Sequence, residues 1–106
     1  MDTDTVKREL RIGKRAFAAA RQLSTKAIGE KLEIPKGTVN DIIYGKNRSH
    51  ADKRLVEALY EDQRKDAELA KRYTISAISE RHGINRHAVK RIARKVHAEM
   101  EANDEL

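Results

Sequence analysis

Residues 24–43 read STKAIGEKLEIPKGTVNDII, and residues 74–93 read TISAISERHGINRHAVKRIA. At an offset of 50 residues, Ala27, Ile28, Glu30, Ile34, Val39 and Ile42 meet Ala77, Ile78, Glu80, Ile84, Val89 and Ile92. Most of these identities are apolar, so what recurs is chiefly a packing pattern. The outward residues differ: Asn40-Asp41 in the first copy stands where Lys90-Arg91 stands in the second. One supersecondary unit is used twice with different outer faces.

Each copy reads as two short helices and a tight turn. Ser24 and Thr74 are good N-caps for helices running to Leu32 and His82. Gly83 suits a left-handed residue that ends the helix. Ile84 then dips into the core, and Asn85 caps a helix from Arg86 to about Val96. In the first copy Ile34 dips likewise, Pro35 suits the start of a helix from Lys36 to about Tyr44, and Gly45 ends it. Val39 and Ile42, like Val89 and Ile92, are three apart, so each pair faces back onto the preceding helix.

The pattern resembles the helix-turn-helix of DNA-binding proteins, in tandem. The residues that carry the likeness are Ile28-Gly29-Leu32-Glu33-Ile34-Val39-Ile42 and Ile78-Ser79-His82-Gly83-Ile84-Val89-Ile92, about 45 residues of the chain in all. Two positions depart from it. Glu33 stands where the family has its turn glycine, at a cost of about 1 kcal/mol if that residue is left-handed. His82 occupies a usually apolar position and is expected to be packed in the core. The run from Ile34 to His50 also resembles the DNA-recognition tail of phage-type HNH homing endonucleases and small phage regulators, through its Thr38-Val39, Ile42 and Gly45-Lys46. It lacks the aromatic usual before the His, and no HNH nuclease core accompanies it. That likeness implies a phage or mobile-element origin and nothing enzymatic.

The remaining segments read as scaffold. Thr5 to Gln22 has a helical period through Val6, Leu10, Ala16, Phe17 and Ala20, despite Gly13, and is expected to pack across the first helix pair as its third helix. Lys46 to Ser49 is a polar connector, and Ser49 to Asp52 resembles a capping box. A helix to about Arg72 follows, long or broken over its polar Glu61–Asp66 middle. The expected fold is all-α, two helix-turn-helix three-helix units in tandem: 1–49, then 50–98, then an acidic tail over 99–106.

The 106 residues carry a net charge of +6, with no Cys, no Trp and one Pro. Disulfides and cysteine-based metal sites are thereby excluded. No apolar run approaches a membrane span. The charge is unevenly placed: residues 7–48 carry +7, 51–70 carry −2, 71–98 carry +7 and 99–106 carry −4. Two basic blocks favour a polyanionic partner.

The expected function is therefore sequence-selective binding of double-stranded DNA, by a small transcriptional regulator acting in the cytoplasm in association with DNA. In the first copy the expected contacts are Ser24, Thr25 and Lys26 at a helix N-terminus, and Lys36, Gly37, Thr38, Asn40 and Asp41 along the second helix. Tyr44, Lys46 and Arg48 suit the backbone. Asn40 could read adenine, and Asp41 could accept from cytosine or meet no base at all. In the second copy the contacts are Thr74, Arg86, His87, Lys90, Arg91, Arg94 and Lys95. Arg86, Lys90 or Arg91 could pair with guanine, against a simpler reading as phosphate attraction. No catalytic residue, metal site, cofactor or small-molecule ligand is expected. The four His at 50, 82, 87 and 97 lack zinc spacing, and the Gly are dispersed. A homodimer is a possible assembly. Two other functions stay open: the DNA-binding subunit of a recombination or transposition system, and a protein-interaction module acting through the 51–70 helix. RNA is disfavoured, because few aromatics are available to stack on bases.

Overall fold

The structure, a computed structural model, describes residues 2–45 and 51–105. Among them it is all-helical: α1 Thr3–Gln22, α2 Thr25–Leu32, α3 Lys36–Ile43, α4 Lys53–Arg72, α5 Ile75–His82 and α6 Arg86–Ala102. The connector Lys46–Ser49 and the Ser49–Asp52 capping box fall wholly or partly outside the described residues.

The helix boundaries follow local chemistry. The hydroxyl of Ser24 accepts from the Ala27 N–H at 3.2 Å, and that of Thr74 accepts from the Ala77 N–H at 3.1 Å. Each satisfies one of the amides that a helix start leaves open. The Asn85 side chain caps α6 through the His87 N–H at 2.8 Å. The α2 and α5 ends are left-handed at Glu33 (φ 57°) and Gly83 (φ 63°). The chain then closes on the preceding helix, with Ile34 N–H donating to the Gly29 carbonyl and Ile84 N–H to that of Ser79. Gly29 is needed at this closure, since a Cβ there would stand 2.8 Å from the Ile34 carbonyl oxygen. The second copy tolerates Ser79, whose hydroxyl donates to the Ile84 carbonyl.

The chain divides into two compact units: residues 1–18 with 67–106, and residues 19–66. This differs from a division at 49/50. The core of the 19–66 unit is Ile28, Val39, Ile42 and Val56, with Leu32, Ile34, Ile43, Leu59 and Tyr60 packed against it. Its third helix is thus the first half of α4. The core of the other unit is Val6, Leu10, Ile78, Val89, Ile92, Ala93, Val96 and Met100. Its third helix is α1, whose Val6 and Leu10 belong to this core, where its sequence period had suggested the first helix pair.

Three features account for that partnership. The apolar stripe of α6 continues beyond Ile92 through Val96 to Met100, and both are fully buried. Such a stripe needs a cover, at about 1.5–3 kcal/mol for each fully buried aliphatic side chain. Gly13 of α1 lets Tyr73 approach so closely that a Cβ at position 13 would stand 2.6 Å from the Tyr73 carbonyl oxygen. The charges also match. Glu99 accepts from Lys7 at 3.4 Å and from Arg11 at 2.6 Å, and Glu105 accepts from Arg15 at 2.6 Å. The hydrogen bond from Arg11, followed by the charge of Lys7, holds the Glu99 carboxyl below its ordinary range.

The segment 99–106 is therefore not a separate acidic tail. α6 runs on to Ala102 and stops at a left-handed Asp104, where the Glu105 N–H reaches the Met100 carbonyl at 2.8 Å. His82 is likewise no core residue. Its Nε2 lies 2.7 Å from Oε2 of Glu9, and Arg81 takes the other oxygen of that carboxylate at 3.1 Å while lying over the Tyr73 ring. α4 is continuous through its polar middle. No helix among the described residues is long and apolar enough to cross a membrane.

Candidate nucleic-acid interface

In the unit containing α5 and α6, burial of Val89, Ile92, Ala93, Val96 and Met100 fixes which side of α6 turns inward. Arg86, His87, Lys90, Arg91, Arg94 and Lys95 are then exposed. The five Lys and Arg side chains of this set form no ion pair or hydrogen bond among the described residues. On α1 of the same unit, Lys7, Arg11 and Arg15 all have carboxylate partners. Glu99 of α6 is thus committed to α1, and the cations in the first ten residues of α6 keep no carboxylate partner among the described residues. Thr74 is exposed at the start of α5, its hydroxyl engaged in the cap.

The row has a neighbour that sequence reasoning missed. Lys14 of α1, with Lys90, Arg94 and His97 of α6, lines an open hollow floored by Ile75 and Ala93. The Nζ of Lys14 stands 3.3 Å from Nδ1 of His97, whose Nε2 lies 2.9 Å from Oε1 of Glu101. Lys14 was invisible as a site residue because its place depends on the partner of α1, which one sequence does not announce.

In the 19–66 unit, burial of Val39 and Ile42, with Ile43 packed beside them, fixes which side of α3 turns inward. Lys36, Gly37 and Asp41 are exposed, and Thr38 and Asn40 are half-buried. A Cβ at Gly37 would meet nothing, so the surface there is open. Tyr44 is 73% exposed at the end of α3. At the start of α2, Lys26 and Ser24 are exposed and Thr25 is half-buried, but the Ser24 hydroxyl already caps the helix. Lys46 and Arg48 lie outside the described residues.

The two sets therefore differ in electrostatics. Residues 36–43 hold one Lys and one Asp, and residues 86–93 hold three cations and no acid. The α6 face can attract a polyanion, and the α3 face offers polar groups with almost no net charge. No three His, Cys, Asp or Glu side chains gather as metal ligands among the described residues. The chain matches no protein-family model, and neither the curated proteins nor the solved structures contain a match to it.

Proposed function

We propose that the chain binds double-stranded DNA through α2–α3 and α5–α6, each acting as a helix-turn-helix, and serves as a small sequence-selective regulator of phage or mobile-element type. It acts by binding and catalyses no reaction. The observation that carries this reading is the exposed, unpartnered row Arg86, Lys90, Arg91, Arg94 and Lys95 on one helix. Like charges four residues apart on a helix repel by about 0.2–0.5 kcal/mol per pair, an extended anion relieves that repulsion, and the DNA backbone presents phosphates along a groove that admits a helix. The capped helix, left-handed turn and second helix recur in both pairs, which supports a common mode of docking. In this reading α6 supplies the affinity. α3 supplies discrimination, Asn40 pairing with adenine and Asp41 accepting from cytosine where they reach a base.

The test is the affinity of the full chain for duplex DNA across a salt series, with selection of bound sequences from a random pool. Each neutralised phosphate contributes about −0.9 to the log–log slope, so a slope of several units is expected. Asn40→Ala should lose about 1–3 kcal/mol of preference at one base position. A salt-independent affinity, or no binding at low salt, would reject the reading. A second reading, contact with another protein through α4, is favoured by Leu55, which is 54% exposed on that helix. Salt-insensitive capture of a protein partner without DNA binding would support it.

A further inference from the structure

We infer that the hollow formed by Lys14, Lys90, Arg94 and His97 is a binding site for a phosphate group, built from two cations of the α6 row together with Lys14 of α1. Lys7, Arg11 and Arg15 each face a carboxylate, but Lys14 has none among the described residues; its one partner is the ring nitrogen of His97 at 3.3 Å. With Nε2–H directed at Glu101, the imidazole presents Nδ1 as an acceptor for Lys14. His97 thus holds the ammonium at the rim without cancelling its charge.

On α6, Lys90, Arg94 and His97 are four and three residues apart, so they share one face. Lys90 and Arg94 have no ion-pair partner among the described residues, and both line the hollow with Lys14. Three full positive charges around one opening repel one another. Only an anion reverses the sign of that interaction. A phosphate suits the set, because a guanidinium can bind two of its oxygens side by side while ammonium groups take the others. Ile75 and Ala93 complete the lining between the cations.

The phosphate could belong to the DNA backbone, in which case the inference rests on the proposed function, or to a free phosphorylated ligand, in which case it does not. Two measurements on the full chain separate these sources. In the first, inorganic phosphate is titrated at constant ionic strength in chloride, and the side-chain NMR resonances of Lys14, Arg94 and His97 are followed. In the second, the salt slope of duplex binding is measured. Both are repeated for Lys14→Gln, for Lys14→Arg, and for Lys71→Gln as a control of equal charge change, since Lys71 pairs with Glu68.

A saturable phosphate response that Lys14→Gln weakens about tenfold, and Lys14→Arg retains, assigns the hollow to a free phosphate group. A duplex slope flattened by about 0.9 in Lys14→Gln and unchanged in Lys71→Gln assigns it to the DNA backbone. Absence of both effects overturns the inference. If the chain binds no duplex at all, the proposed function fails, and the phosphate titration alone decides the hollow.

Discussion

The pairs α2–α3 and α5–α6 share caps, a left-handed turn and three aligned core isoleucine or valine positions, yet they are finished differently. α3 stops after eight residues, and its unit has four buried core residues. α6 runs for 17 residues, and the two turns past Ile92 bring Val96 and Met100 into a core of eight. The same extension carries Glu99 to Lys7 and Arg11. A repeated pattern therefore specifies a helix pair, and what lies beyond the pattern decides which third helix covers it. It also decides which charges remain for a partner: Glu99 of α6 pairs with α1 while the cations of α6 stay exposed, and α3 presents a nearly neutral face.

The largest effect that could break this comparison is at Leu10, which is buried with Ile78 and Val89. Leu10→Ala should cost about 2–5 kcal/mol and lower amide hydrogen-exchange protection in α5 and α6. Loss of protection first at Ile28 and Val39 would instead place α1 with the α2–α3 pair.

The turns should respond next, in opposite directions. Glu33 holds φ 57°, a conformation that costs a residue with a Cβ about 1 kcal/mol relative to glycine. Glu33→Gly should therefore raise the denaturation midpoint, and Gly83→Glu should lower it by a similar amount. Shifts of the same sign in the two variants would mean that the two turns are not equivalent.

A smaller effect concerns acid. The Glu99 carboxyl is held below its ordinary value, chiefly by Arg11 and then by Lys7. A depressed folded value contributes stability that is present above the unfolded carboxyl range, near pH 4.3, and is lost as pH falls through the folded value. Glu99→Gln should therefore lower stability slightly at neutral pH, leave it little changed below the folded value, and so remove part of the acid sensitivity of the unit containing α5 and α6. An acid transition identical to that of the wild type would show that the pairing is too exposed to matter.

Much of the fold was legible in the sequence because its signals are local. Ser24, Thr74, Asn85, Gly45 and Gly83 each act on the backbone within a few residues, and each stands where its chemistry suggested. What was not legible depends on pairing at a distance. The period of α1 shows an apolar face and not the surface that receives it, so a boundary at 49/50 and a detached acidic tail both followed from reading segments in order. A cut at that boundary would strip Val6 and Leu10 from the core they share with Ile78. His82 was misplaced for the same reason, since Glu9 lies 73 residues away. For the candidate site, the α6 cations could be named from spacing alone. Their freedom from carboxylates, and the presence of Lys14 beside them, needed the three-dimensional arrangement.

In the proposed function, the α6 cations that have no carboxylate partner among the described residues, rather than basic residues in general, attract DNA. That attraction is tested most directly by comparing Arg91→Gln with Arg15→Gln in the salt dependence of duplex binding. Each substitution removes one exposed guanidinium from the same unit, but Arg15 is paired with Glu105, whereas Arg91 has no carboxylate partner among the described residues. The account predicts that Arg91→Gln flattens the slope by about 0.9 while Arg15→Gln leaves it unchanged. Equal slopes for the two variants, whether both flattened or both intact, would contradict it.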